Sequence, residues 1–250
     1  MANSAILTAV RAVWSGQLGA SRKMLDLSCG DGETARLLAN LGYSVVATDY
    51  CAPPLLPPGI DRVAGVDLNR YLPFRADAFD AVDLVEVIEH IENQPQLIRE
   101  IARVLRPGGA LLISTPNILN VFSRLRFLFT GFLRGRVRPA HYTSKPGRAP
   151  NIYLVHFYEL YYLLFHYGFQ IEELRRTRVK IASRISALLI WPLMWICSLI
   201  AVIRAEKDPL QRRYNWQILS FFFDPALLLS DNIVVVARKT RAVGENRTRS

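Results

Sequence analysis

Residues 25–50 read "LDLSCGDGETARLLANLGYSVVATDY" and set two carboxylates and two glycines where a nucleotide can be held. A Gly-rich turn between a strand and a helix brings a ligand against bare backbone, facing the N–H groups that open the helix. Asp49 ends the next strand, where a carboxylate can accept both hydroxyls of a ribose. Gly30, Gly32 and Ala35 satisfy G-x-G-x-x-A, a pattern common to many nucleotide folds and weakly selective by itself. Asp26 narrows the choice. It stands just before the turn, where a nicotinamide-type fingerprint normally begins with Gly.

Such residues need a scaffold, and residues 23–115 alternate strand and helix signals. "KMLDL" is a short buried strand running into the Gly turn, and "ETARLLANLG" is a helix closed by Gly42. "YSVVATD", "DRVAGVD", "FDAVDLVEV" and "ALLIST" are further strands, with the helix "QPQLIREIARVL" before the last of them. "CAPPLLPPG" is too proline-rich for helix and must be loop. This alternation predicts an α/β parallel sheet with helices on both faces. Downstream the pattern predicts a helix over 157–167 and two more strands, "GFQIEELRRTR" and "DNIVVVARK". Ile6, Val10, Val13, Trp14 and Leu18 fall near helical spacing and predict an amphipathic helix within residues 1–22. The expected organisation is then a core over 23–180, a hydrophobic insertion over 181–231, the final strand over 232–240 and a polar, frayed tail over 241–250.

Two further blocks, "LPFRADAFDAVDLVEVIEHI" and "IARVLRPGGALLISTPN", follow the Gly turn in order and at fitting distances. Together with it they resemble the class I S-adenosylmethionine-dependent methyltransferases over roughly residues 23–117. The small-molecule branch is most similar, including ubiquinone-pathway O-methyltransferases and the methionine-biosynthesis methyltransferase-like group. The resemblance implies a Rossmann-like seven-stranded sheet, here with a hydrophobic helical insertion between the last two strands. It also implies S-adenosylmethionine as cofactor. Asp26, Ser28, Gly30 and Gly32 match the loop around the methionine part, Asp49 the ribose acid, and Asp67 with Leu68 the pair beside the adenine. Glu86, at the end of the fourth strand, is expected to face the cleft. Ser28 stands where the family has Gly, which fits if its φ is negative. "CAPPLLPPG" replaces the usual helix after the second strand.

Methyl transfer from a sulfonium is an in-line displacement governed mainly by positioning. A hydroxyl acceptor also needs a base, and His90, just past the fourth strand, is the candidate. The opposing reading has it ordering the loop. His156 is better read as a packed or capping residue. No Tyr-x-x-x-Lys supports a nicotinamide-dependent oxidoreductase on the same sheet. A scaffold that keeps the fold without turnover is the alternative from another class.

The chain of 250 residues is 51% hydrophobic and carries a formal charge of +10. Between Asn120 and Pro150 lie Arg124, Arg126, Arg134, Arg136, Arg138, Lys145 and Arg148, without one Asp or Glu. Such a patch favours polyanions. No N/D-P-P-Y/F/W motif follows the fourth strand, which disfavours nucleic acid; an anionic membrane surface and a solvated loop with a buried aromatic stripe both stay open, and the segment that follows favours the membrane surface. Three cysteines without a CxxC pair suit a reducing, cytoplasmic compartment. The histidines show no metal-ligand spacing, so no metal is expected. "ISALLIWPLMWICSLIAVI", Ile185 to Ile203, would run roughly 28 Å as a helix, close to the ~30 Å hydrocarbon core. The strands on either side belong to one sheet, so a single crossing would strand the last of them. The expectation is an insertion, interrupted at Pro192, that dips into one leaflet from the cytoplasmic face as a peripheral or monotopic element. An amphipathic or lipid-linked small molecule would be its acceptor. A helix pair packed on the sheet or in a dimer is the opposing reading.

Overall fold

The computed structural model describes residues 4–16, 22–52, 55–133, 153–205 and 208–240. In chain order these form α1 (Ser4–Gly16), β1 (Lys23–Leu27), α2 (Glu33–Asn40), β2 (Ser44–Thr48), β3 (Ile60–Val63), β4 (Phe79–Val85), α3 (Gln94–Val104) and β5 (Leu105–Pro116). They continue with α4 (Val121–Thr130), α5 (Phe157–His166), β6 (Phe169–Arg176), α6 (Ile181–Ala205), α7 (Pro209–Phe222), α8 (Pro225–Leu229) and β7 (Asn232–Lys239). Seven strands make one sheet in the order β3-β2-β1-β4-β5-β7-β6. The run from β3 to β5 is parallel, with β1 flanked by β2 and β4. This is the Rossmann-like seven-stranded arrangement that the resemblance implies, and its last two strands are neighbours at one edge.

The chain divides into two compact units. The first, residues 1–116, 149–175 and 234–250, holds the sheet and the helices that pack on it. β1 is buried from Met24 to Leu27, Asp26 included, because both its faces are covered. On one face Met24, Val45, Ala47, Ala81, Leu112 and Val234 meet Ile6, Val10, Val13 and Trp14 of α1 and Ala35 and Leu38 of α2. The alternate residues Leu25, Leu27, Val46, Val82, Leu84 and Leu111 are buried as well. The amphipathic N-terminal pattern therefore serves core packing; Leu18 lies outside the described residues.

The second unit spans residues 117–148 and 176–233. Its described part is helical: α4, α6, α7 and α8, around a small core of Val121, Ala187 and Leu228 with Leu125, Ile190 and Met194 against it. Asn117 orders its own segment, its side-chain amide donating to the carbonyls of Leu227 (2.7 Å) and Ser230 (2.9 Å). α6 is one 25-residue helix containing Pro192, so the interruption expected there is absent. A proline removes one i→i−4 bond, and the turns on either side are long enough to carry the helix through it. One stripe of α6 (Ala187, Ile190, Met194) packs inward, yet Leu188, Leu189 and Leu193 are 81%, 74% and 64% exposed. Residues Ser183–Arg204 are long and apolar enough, by length and composition, to cross a membrane, and most of them are not buried.

Candidate functional site

The turn after β1 is held by its neighbour β2. The Thr48 hydroxyl, fully buried, donates to the Asp26 carbonyl (3.2 Å) and accepts from the Ser28 N–H (3.4 Å). The Cys29 N–H donates to the Thr48 carbonyl, and the Gly32 N–H to the Cys29 carbonyl, each at 2.8 Å. Under this clamp Ser28, Gly30 and Gly32 all take positive φ (60°, 53° and 76°). The negative φ expected of Ser28 is thus not what the fold adopts. A non-glycine residue there costs on the order of 1 kcal/mol, and such strain gathers at functional sites. A Cβ added at Gly30 would meet nothing within 4 Å, so the turn is open for a ligand to approach the backbone.

The carboxylates of Asp26 and Asp49 flank this turn, and Asp83 on β4 lies opposite Asp26. Asp49 accepts from the Gly30 N–H (3.0 Å) through Oδ2 and from the Cys51 N–H (3.2 Å) through Oδ1. Each oxygen keeps a second lone pair for a hydroxyl. Asp26 is 2% exposed and its Oδ2 has no donor among the described residues. Burial first, then Asp83, then Asp49 push its pKa well above the usual carboxylate range. Burial, with Asp26 and Asp49 adding to it, also pushes the Cys29 thiol up to about 12. Among the described residues no salt bridge reaches Asp26 or Asp49. Acidic groups without a cation, beside an open Gly turn, suit a cationic ligand that carries hydroxyls, and S-adenosylmethionine fits that description.

The remaining expected residues form a run at the carboxyl ends of the strands. Val66 N–H donates to the Asp49 carbonyl (3.2 Å), which keeps Asp67 and Leu68 beside the end of β2. Asp67 accepts from the Asn69 N–H and pairs with Arg70, and Leu68 is buried. Asn69 in turn accepts from the N–H groups of Glu92 and Asn93 (both 3.0 Å), tying that segment to the one just after His90. His90 closes a single 3-10 turn, Ile88–His90. Glu86 follows β4 with φ 56°, a second strained non-glycine at the site, and its carboxylate accepts from the Ser114 hydroxyl (2.9 Å). The structure brings Asp49 and Gly30 into contact; Asp67, Leu68 and His90 join the run through backbone neighbours.

Sequence reasoning missed Trp14, Thr48, Asp83 and Ser114. The one signal was Asp83, an acid at the centre of the apolar run of β4. His156 caps α5, its Nδ1 accepting from the Tyr158 N–H (3.2 Å). Of the basic stretch, residues 134–152 lie outside the described residues. Arg124 on α4 donates to the Leu119 carbonyl (2.6 Å), and burial pulls its pKa down to about 10.

Comparison with known proteins agrees with this geometry. A family model described as "Methyltransferase domain" matches residues 4–174. Over 107 residues the chain is 39% identical to a demethylmenaquinone methyltransferase of Mycobacterium tuberculosis, covering 40% of this chain and 45% of that protein. A demethylmenaquinone methyltransferase of Clavibacter sepedonicus is 35% identical over 109 residues, 40% of this chain and 44% of its own length. The chain thus spans less than half the length of these relatives. The crystal structure of Burkholderia thailandensis 1,6-didemethyltoxoflavin-N1-methyltransferase, with bound 1,6-didemethyltoxoflavin and S-adenosylhomocysteine, superposes with a TM-score of 0.54. That match covers 95% of this chain and 79% of that one at 17% identity, a likeness of fold.

Proposed function

The chain belongs to the methyltransferase-domain family, and on that premise we propose that it transfers a methyl group from S-adenosylmethionine to an oxygen of a hydrophobic or lipid-linked small molecule at the cytoplasmic membrane surface. The cofactor supplies an activated methyl on a cationic sulfur. The protein's own part is positioning and charge. Asp26 offers an uncompensated carboxylate to the methionine amino group, and Asp49 offers lone pairs to the ribose hydroxyls. Leu68 presents an apolar neighbour to the base. His90 takes the proton of an acceptor hydroxyl as the oxygen attacks, which is general-base work suited to a neutral imidazole.

The acceptor class and the membrane location rest on one observation, the apolar face of α6 that the protein leaves uncovered. A helix apolar all round belongs in a core, a membrane or an interface. β6 and β7 are sheet neighbours, so the segment between them leaves and returns at one sheet edge. That supports an element lying in one leaflet, with Arg204, Arg212 and Arg213 at the phosphates and the tryptophans at the boundary. Quinone-pathway methyltransferases among the relatives support an acceptor with a long apolar tail.

The deciding test is a calorimetric titration of the detergent-solubilised chain with S-adenosylmethionine, beside Asp49→Ala. Micromolar binding that falls about 100-fold in the variant, or roughly 2.7 kcal/mol, is expected from losing a charged acceptor of two hydroxyls. Folded protein that takes up no cofactor would leave the non-catalytic scaffold as the reading.

A further inference from the structure

Asp83 is a buried acid for which the proposed reaction has no use. It lies on β4 directly opposite Asp26 on β1, and paired parallel strands run about 4.8 Å apart. Residues paired across strands point to the same face, so two carboxyl groups share one small volume. Both are sealed: Asp26 is 2% exposed and Asp83 fully buried. Oδ2 of each lacks a donor among the described residues. Among the described residues one side-chain donor reaches the pair, the Trp14 indole Nε1 from α1, at 2.9 Å from Asp83 Oδ1. α1 is itself fixed in place by the Tyr43 hydroxyl, which donates to the Trp14 carbonyl at 2.8 Å.

The groups facing this pair are of one sign or none. α1 brings the neutral indole and α2 brings Ala35 and Leu38. β5 puts Leu112 opposite Asp83, and the end of β2 adds the Asp49 carboxylate. The turn contributes the Cys29 thiol, whose raised pKa keeps it uncharged, and Asp31. Two like charges cannot both ionise at such a separation without a cation.

We infer that Asp83 is a positioning residue of the cofactor site: beside Asp26 it keeps a proton on the pair, and that proton leaves when an ammonium group docks next to Asp26. The inference rests on the cofactor reading above and adds to it a charge switch. The empty pair then carries one negative charge instead of two, which eases the repulsion beneath the turn. A cationic amino-acid group then turns the pair into its counter-ion, and the released proton goes to bulk buffer. Burial raises the pKa of both acids, and at Asp26 the neighbouring Asp83 and Asp49 carboxylates add to it.

S-Adenosylhomocysteine is the probe, because its ammonium stays charged between about pH 6 and 7.5 and it carries no sulfonium. Titrating the full chain in buffers of different ionisation enthalpy counts the protons released on binding. The expected wild-type result is net release approaching one proton near pH 7. Affinity should rise about three- to tenfold from pH 6 to 7.5, since release of one proton sets a limit of tenfold per pH unit. In Asp83→Asn the amide oxygen can still accept from Trp14 while its NH2 donates to Asp26. Proton release should fall to less than half, and the pH dependence of affinity to under about twofold. Wild-type binding without proton release, or an Asp83→Asn variant with the wild-type proton count and pH slope, overturns the inference and leaves the cofactor site standing. No binding at any pH overturns the cofactor reading and the inference together. The wild-type measurement needs no variant, so a poorly folding Asp83→Asn does not spoil the test.

Discussion

The sheet unit and the helical unit both depart from the ordinary rule of burial, and they do so in opposite directions. In the sheet unit Asp26 and Asp83 are sealed from water without a cation. Glu100, in the same unit and equally buried, shows the ordinary solution: it pairs with Arg103 and accepts from the Leu72 N–H. Burial alone would raise its pKa, but those partners outweigh burial and hold it below the usual value. In the helical unit the departure is reversed, since Leu188 and Leu193 on α6 face outward. Each region leaves a group without its usual cover, a cation in one case and packed apolar neighbours in the other.

The buried acid carries the largest expected effect. Burial first pushes the Asp83 pKa to about 7, and the Trp14 hydrogen bond only partly opposes it. A folded-state pKa above the unfolded one means that the native protein binds the proton more tightly. Its contribution is therefore fully present below about pH 4 and is lost as pH rises towards 7, the slope being negative wherever the native state holds more protons. The loss amounts to roughly 2–4 kcal/mol for a shift of this size. Urea unfolding of wild type and Asp83→Asn between about pH 4.5 and 7.5 should show the variant gaining relative stability as pH rises. Parallel curves would mean that Asp83 ionises freely, and the contrast with Glu100 would collapse.

Much of this contrast was hidden in the linear chain for definite reasons. The strand blocks and the Gly turn were legible because hydrophobic runs and turn residues are local signals. Asp26, Gly30 and Asp49 could be placed for the same reason. Ser28 could not be read correctly, because its left-handed backbone depends on Thr48, twenty residues away on the next strand. The significance of Asp83 needs two non-local facts, its register with Asp26 and the indole of Trp14 sixty-nine residues earlier. In α6 the composition showed an apolar helix but not which stripe would be covered. Pro192 misled because a residue that disfavours helix locally was overruled by the turns flanking it.

The helical side of the comparison is broken by charge. Leu188→Glu with Leu193→Glu puts two carboxylates on the outward face of α6. Partition of the full chain into vesicles of phosphatidylglycerol and phosphatidylcholine should fall at least about tenfold. An acidic side chain costs up to about 2.5–3.5 kcal/mol at hydrocarbon depth and less at the interface. Unfolding free energy should change by under about 0.5 kcal/mol per site, because neither leucine is buried. Affinity for S-adenosylhomocysteine should be unchanged. If the wild-type chain is instead a dimer without vesicles, and the double variant a monomer, the missing partner of α6 is a second copy.

The smallest effect belongs to an ion pair that keeps its water. Arg238 on β7 grips Glu172 on β6 through two bonds, Nε to Oε1 (2.6 Å) and an NH2 nitrogen to Oε2 (3.0 Å), and donates a third to the Gly108 carbonyl (3.0 Å). The geometry is bidentate and as good as any in the sheet unit, yet both side chains are about a third exposed. Solvent screens the attraction, and a released partner is rehydrated at little cost. Glu172→Gln should therefore lose about 0.5 kcal/mol, a loss that 0.5 M salt shrinks further. Asp83→Asn makes the same change of one carboxylate to an amide, yet it should gain stability at neutral pH and ignore salt. Opposite signs from one chemical edit would show that access to water, rather than the quality of the hydrogen bonds, decides what a carboxylate contributes here. A loss of several kcal/mol at Glu172 would place the edge of the sheet under the same rule as its centre.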